Sequence, residues 1–158
     1  RLNDREGLIY EKIEGPSLLS ELGRKPWTVI RYARLLARLH TQVHDVPAPP
    51  HLEPQREWTR GGILETELLP EALREDIIRL LDSLPDGPQL CHGDFHPGNI
   101  IVTPRGPIII DWMTASMGMA IGDVARTSVI LGAGRPPEST PARPLQGAGP
   151  PGCVIRLL

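Results

Sequence analysis

The most constraining feature of this chain is a run of polar side chains enclosed by short apolar segments. The run is His92-Gly93-Asp94-Phe95-His96-Pro97-Gly98-Asn99. Residues 89–92 predict a short strand before it, and residues 100–103 and 107–112 predict a hairpin after it that turns at Pro104-Arg105-Gly106. The pattern therefore predicts a polar loop whose side chains stand at the ends of short strands.

Three of these side chains suit the transfer of a phosphoryl group from a nucleotide to an alcohol. That reaction needs a group that takes the hydroxyl proton, and cations that hold the phosphate oxygens. Asp94 is the candidate proton acceptor. Asn99 and Asp111 are the candidate Mg²⁺ ligands, because magnesium prefers hard oxygen ligands and takes others from nucleotide phosphates. The loop and the hairpin are expected to bring all three side chains into one cleft.

Composition limits the other possibilities. A length of 158 residues fits one domain, and the net charge of -2 without a Lys/Arg block argues against nucleic-acid partners. No run is long enough for a membrane span, and the amino terminus has no apolar signal core. The cysteines, Cys91 and Cys153, suggest neither a disulfide framework nor a metal motif. These patterns favour a cytoplasmic protein, with Cys91 as a small buried strand residue.

The remaining pattern is mainly helical, so the predicted class is α+β. Apolar spacing predicts helices over residues 27–43 and 71–84, whereas residues 51–70, with Gly61-Gly62, read as a loop. Asp123 is the predicted N-cap of a helix over residues 124–131. In residues 132–152, 11 of 21 are Gly or Pro, so residues 132–158 are predicted to be a disordered tail.

Residues 92–99 followed by Ile110-Asp111-Trp112 resemble the catalytic segment of the aminoglycoside phosphotransferase family, which has a protein-kinase-like fold. The resemblance implies ATP and Mg²⁺ as cofactors, a small-molecule hydroxyl acceptor such as an aminoglycoside, choline or macrolide, and catalytic roles centred on Asp94. By that likeness His96 has either a phosphate contact or a structural role. His92 either holds the loop by a hydrogen bond or performs acid/base work. The resemblance also assigns Asp123 to bracing the loop.

Leu8 to Leu18 resemble the strand that joins the two lobes of that family, so a linker strand is expected over residues 7–15. The resemblance implies that the backbone at Glu11 and Ile13 contacts adenine. The family's amino-terminal lobe would precede Gly7, and neither Lys12 nor Lys25 stands on a strand suited to pairing nucleotide phosphates. We therefore expect residues 1–131 to be a C-terminal lobe, weakly active or inactive as given, with exposed apolar surface that promotes self-association.

Alternative interpretations stay open at this stage. Asp94 and Asn99 are residue types that commonly form turns, and Asp111 is compatible with a solvated strand end. His92, Asp94 and His96 also have the residue types of a metal-dependent hydrolase site. A non-catalytic remnant that serves as a binding module is a further possibility.

Overall fold

A computed structural model describes residues 11–133 of the chain. The helices are α1 (Leu18–Arg24), α2 (Val29–His44), α3 (Gln55–Glu65), α4 (Glu71–Ser83) and α5 (Ala120–Ala133). The strands are β1 (Gln89–Cys91), β2 (Ile100–Thr103), β3 (Gly106–Ile109) and β4 (Ser116–Gly118). Short 3-10 turns cover Pro26–Thr28 and Pro97–Asn99. The predicted α+β class, mostly helical with a hairpin beside the polar loop, is confirmed.

Two small antiparallel sheets hold the polar loop between them. Strand β1 pairs with β4, with Cys91 opposite Ser116, and β2 pairs with β3, with Ile100 opposite Ile109. The loop leaves β1 and enters β2, so both of its ends are fixed by hydrogen-bonded strands. The predicted strand before the loop and the predicted hairpin after it are thus confirmed, although β3 ends at Ile109 rather than continuing to residue 112.

The core forms where α1, α2 and the two sheets meet. Its buried members come from helices, strands and the polar loop itself: Leu18, Leu39, Val43, Leu90, Phe95, Ile100 and Trp112. Phe95 is completely buried although it lies in the middle of the loop. Burying a phenylalanine stabilises a fold by about 1.5–3 kcal/mol, so the ring anchors the loop to the core.

Two helices were not predicted from the sequence. Helix α1 begins at the N-cap Ser17, whose hydroxyl accepts a hydrogen bond from the Ser20 amide at 3.1 Å. The loop predicted for residues 51–70 is wrong, because α3 occupies most of it. The guanidinium of Arg56 on α3 donates to the carbonyl oxygens of Leu81 and Leu84 at the end of α4. This tertiary contact adds hydrogen bonds at the end of α4, which compensates for the poor helix propensity of Gly61-Gly62.

Three further boundaries are corrected. Residues 11–15 of the expected linker strand belong to no strand, and residues 7–10 lie outside the described residues. This segment contacts the hairpin further along the chain, at Pro16, whose carbonyl accepts a hydrogen bond from the Val102 amide at 2.9 Å. Helix α5 begins at Ala120, so Asp123 is not its N-cap, and Gly132 and Ala133 are helical. The rest of the predicted tail, residues 134–158, lies outside the described part of the chain.

Within residues 11–133, no helix combines the length and apolar character needed to cross a bilayer.

Candidate active site

Asp94 and Asn99 are joined directly across the loop formed by residues 92–99, which we call the motif loop. The Asn99 side-chain amide donates to the Asp94 carbonyl at 2.9 Å and to the Asp94 carboxylate at 3.0 Å. Asn99 is buried, and Asp94 is partly open to solvent. Because the side-chain nitrogen of Asn99 donates both hydrogen bonds, its side-chain oxygen is the atom left to coordinate a cation.

Asp111 lies just beyond β3, on the strand that pairs with the chain after Asn99. The Ile110 amide donates to the Asn99 carbonyl at 2.9 Å, which extends the hairpin pairing to the residue before Asp111. Asp111 has a φ of 64°, and it is the only described non-glycine residue with a positive φ. This left-handed conformation is uncommon outside glycine, and such backbone outliers cluster at functional sites.

The buried His92 side chain connects the motif loop to the residue before Asp111. Its Nε2 lies 3.0 Å from the Ile110 carbonyl, and its Nδ1 accepts the Asp94 amide at 3.2 Å. Burial lowers the pKa of His92, and although the Ile110 carbonyl and the nearby carboxylates, Asp94 and Asp111 among them, oppose this effect, the net shift is downward. A neutral, completely buried imidazole with both nitrogens bonded suits holding the loop rather than exchanging protons with a substrate.

His96 remains at the open side of the motif loop. Its Nδ1 accepts the Gly98 amide at 3.0 Å, and its Nε2 lies 3.5 Å from a carboxylate oxygen of Asp94. The His96 side chain is 27% exposed, so its Nε2 edge can meet a ligand beside Asp94. This placement is compatible with the expected phosphate contact.

Asp123 lies behind the motif loop and is completely buried. Its Oδ1 accepts the Gly93 amide at 2.9 Å, and its Oδ2 accepts the His92 amide at 2.8 Å. The Nε2 atoms of His40 and His44 lie 3.0 Å and 3.1 Å from the same Oδ2. The carboxylate thus joins α5 and α2 to the backbone immediately before Asp94. The sequence interpretation missed both histidines in this network, although their spacing of four residues puts them on one helix face.

Burial alone would raise the pKa of Asp123, but hydrogen bonds from His40, His44 and the two loop amides outweigh it and hold the pKa well below its ordinary value. A depressed folded-state pKa contributes stability that is present above the unfolded-state pKa of about 3.9 and is lost as the pH falls toward the folded-state value. We therefore expect the free energy of unfolding to drop between about pH 5 and pH 2. Urea denaturation at stepped pH measures this, and Asp123→Asn should flatten the slope. An equal slope in both proteins contradicts the assignment.

Gly93 fits tightly between Asp123 and Thr114. Its φ is 78°, and an added Cβ would collide with the Thr114 carbonyl oxygen. The Thr114 hydroxyl donates to the His92 carbonyl at 3.0 Å, and this hydrogen bond keeps Thr114 close to Gly93. We expect Gly93→Ala to cost about 1–3 kcal/mol of stability through strain and loop displacement. Urea denaturation measures this, with Gly61→Ala as the control because an added Cβ there meets nothing. Equal stabilities of Gly93→Ala and the unmodified chain would contradict the expectation.

The alternative metal site of a hydrolase is not supported by the geometry. His92 directs its nitrogens to the Ile110 carbonyl and the Asp94 amide, and His96 uses Nδ1 within its own turn. Within residues 11–133, the group of side chains close enough to share a metal ion is a different one, formed by His40, His44 and Asp123. These contacts favour phosphoryl transfer over the hydrolase interpretation of His92, Asp94 and His96. Cys91 is buried as predicted, and burial raises the pKa of its thiol to about 12, so it is no nucleophile at neutral pH.

Glu11, one of the two residues expected beside adenine, lies at the turn of the hairpin. A carboxylate oxygen of Glu11 lies 2.8 Å from the guanidinium of Arg105 in the hairpin turn. Ile13 is half-buried. The start of the described chain is thus tied to the hairpin through this exposed ion pair.

A cavity of about 320 Å³ lies beside the motif loop at Gly93. It is bounded by α3, the end of α4, β4 and the start of α5, and it reaches Gly93 and Thr114. Trp58 and Arg126 form part of its wall, with the guanidinium 4.2 Å from the indole ring centre. The volume lies at the lower end of the range for small-molecule sites.

A loop that joins an acidic side chain to an amide, followed by a hairpin that ends in a second carboxylate, is the arrangement of an enzyme that transfers phosphoryl groups. The chain belongs to the phosphotransferase enzyme family, whose sequence model matches residues 3–149. A search of curated proteins found no match. The family and the fold agree with the resemblance seen in the motif residues, and the family match also favours phosphoryl transfer over the hydrolase interpretation.

Proposed function

We propose that this protein transfers the γ-phosphoryl group of ATP to a hydroxyl group of a small molecule. The observation that carries the proposal is the direct bond between Asn99 and Asp94, with Asp111 one residue beyond the backbone hydrogen bond from Ile110 to Asn99. Family membership supports phosphoryl transfer as the reaction class. The use of ATP, and the cytoplasm as the compartment that supplies it, belong to the proposal.

In the proposed reaction, the Asp94 carboxylate accepts the proton of the acceptor hydroxyl. The acceptor oxygen forms a bond to the γ-phosphorus, the bond from that phosphorus to the bridging oxygen breaks, and ADP leaves. The Asn99 oxygen and the Asp111 carboxylate would hold Mg²⁺, which neutralises developing charge on the phosphate oxygens. His92 keeps the Asp94 backbone and the Ile110 strand together throughout, since it bonds to both.

Two further contacts complete the proposed nucleotide site. His96 would meet the transferred phosphate, because its Nε2 edge is partly exposed beside Asp94. The backbone at Glu11 and Ile13 would meet the adenine ring, as the family resemblance implies. The hairpin connects these positions, since Arg105 in its turn bonds to Glu11 and its strands lead to Asn99 and Asp111.

We place the acceptor in the cavity that reaches Gly93, the residue next to Asp94. Trp58 offers an aromatic wall, so Trp58→Ala should raise the acceptor KM at least about fivefold with little change in kcat, because binding is lost equally in ground and transition states. Steady-state kinetics with varied acceptor measures this. Trp27→Ala is the control, since Trp27 is 77% exposed and does not line the cavity. Equal KM values for Trp58→Ala and the unmodified protein would place the acceptor elsewhere.

The decisive experiment follows labelled γ-phosphate from ATP into a panel of hydroxyl compounds, with and without Mg²⁺. Aminoglycosides, choline and macrolides form the first panel. Magnesium-dependent transfer that is lost in Asp111→Asn supports the proposal. Thermal stabilisation by Mg·ATP without transfer to any acceptor would instead indicate a nucleotide-binding module. If Mg·ATP gives no thermal stabilisation and no detectable transfer, even at the low rate expected of residues 1–131 as given, the proposed function is overturned.

A further inference from the structure

The cluster of His40, His44 and Asp123 has the composition and geometry of a metal site that the proposed reaction does not use. The candidate ligand atoms all lie within 4.8 Å of one another. They are imidazole nitrogens and a carboxylate oxygen, a donor set typical of zinc. We propose that these three residues bind Zn²⁺ behind the motif loop, separately from the magnesium site.

The distances require little adjustment to admit an ion. Zinc binds nitrogen and carboxylate oxygen at 2.0–2.2 Å, so tetrahedral ligand atoms stand about 3.3 Å apart. The Nε2 atoms of His40 and His44 lie 3.0 Å and 3.1 Å from the Asp123 Oδ2. These two distances would need to change by only a few tenths of an ångström, and the candidate nitrogens of the two imidazoles lie within 4.8 Å of each other. Each imidazole would then bind the ion through Nε2 and carry its proton on Nδ1.

The surroundings hold the ligands in place. The imidazoles come from positions separated by four residues on α2, the spacing by which helical histidines share a zinc ion. The His40 ring stacks on the buried Phe95 ring at 4.2 Å with an interplanar angle of 15°. His44 is 10% exposed at its side chain, which leaves the solvent side for a water ligand. No acidic residue follows His40 directly, so the site lacks the general base of helical zinc proteases.

The charge of Asp123 also favours a cation at this position. The carboxylate is completely buried and has four hydrogen-bond partners. Its recorded partners within residues 11–133 are backbone amides and imidazoles, with no Lys or Arg among them. Buried charges are usually paired with an opposite charge or bound to a metal. A zinc ion would supply this charge while Oδ1 continues to hold the Gly93 amide.

The test uses the whole chain, freed of metal with EDTA and titrated with Zn²⁺ or Co²⁺ alone. We expect one equivalent to bind in calorimetry, ligand-field absorption from Co²⁺, and a rise in Tm of about 5–10 °C at zinc a hundredfold above Kd. His44→Gln keeps a side-chain donor toward Asp123 but should weaken zinc binding at least about tenfold. His51→Gln is the matched control, since His51 is exposed and outside the cluster.

Several results would overturn the zinc site. One is the absence of stoichiometric binding, and another is equal affinity in His44→Gln and the unmodified chain. Loss of binding in Asp111→Asn would assign the ion to the magnesium site instead. Should His44→Gln fail to fold, X-ray absorption of the zinc-loaded unmodified chain decides, because two imidazole ligands are required. None of these measurements uses phosphoryl transfer, so their failure is distinguishable from failure of the proposed function.

Discussion

Replacement of Asp94 by Asn is expected to lower kcat for phosphoryl transfer by about 10²–10⁴-fold, the contribution typical of a positioned general base. The amide has nearly the shape of the carboxylate but cannot take the proton of the acceptor hydroxyl. Its oxygen can still accept the Asn99 donor that now bonds to Asp94 at 3.0 Å, so the motif loop should keep its conformation. Transfer of labelled γ-phosphate under saturating Mg·ATP measures the effect.

The control for this substitution is Asp45→Asn, which changes an exposed aspartate at the end of α2. It should leave the rate of transfer within about twofold, because a surface substitution away from the site has little effect on stability or geometry. Thermal stabilisation by Mg·ATP should persist in Asp94→Asn, since Asn99 and Asp111 are unchanged. A rate for Asp94→Asn close to that of the control would remove Asp94 from the reaction.

Replacement of Asp123 by Ala is expected to lower the free energy of unfolding by about 3–5 kcal/mol, the range seen when one member of a buried charged network is removed. The substitution leaves the His92 and Gly93 amides without their acceptor and removes the shared partner of His40 and His44. Urea denaturation measures the loss. Hydrogen exchange at the two amides should locate it, because their protection depends on this carboxylate.

Asp86→Ala is the matched surface control for that experiment. Asp86 pairs with Arg56, but its side chain is 74% exposed, so its removal should cost no more than about 1 kcal/mol. A loss of similar size in Asp123→Ala would show that the buried network contributes little to folding. Unchanged exchange at His92 and Gly93 would show that the loop is held by other contacts.

The local pattern around the motif loop was sufficient to predict the elements that flank it. Alternating apolar runs and turn residues predicted β1 and the β2–β3 hairpin, and the polar residues between them predicted a loop. The meeting of Asp94 with Asn99 follows from a separation of five residues within one tight turn. The φ of Asp111 could not be read from the sequence, because an aspartate adopts the left-handed region only where its surroundings impose it.

The elements that were missed depend on contacts between distant parts of the chain. Helix α3 contains two glycines, and Arg56 connects it to the end of α4 at positions 25 and 28 residues away. Asp123 has the sequence context of a cap, yet its carboxylate turns away from its own helix toward the motif loop. Local propensity cannot report such contacts, since it reflects only the backbone preference of each residue and its near neighbours.

The amino-acid sequence by itself determined the class of fold and the order of chemical groups along the motif loop, because hydrophobic periodicity and turn chemistry act over a few residues. Only the tertiary structure decided what stands behind that loop. His40 and His44 reach Asp123 across 83 and 79 residues of chain, and their meeting depends on how α2 and α5 each pack against β1. The hydrogen-bond donors around a buried carboxylate are those that the packed core places within bonding distance. They are therefore defined only in the folded protein.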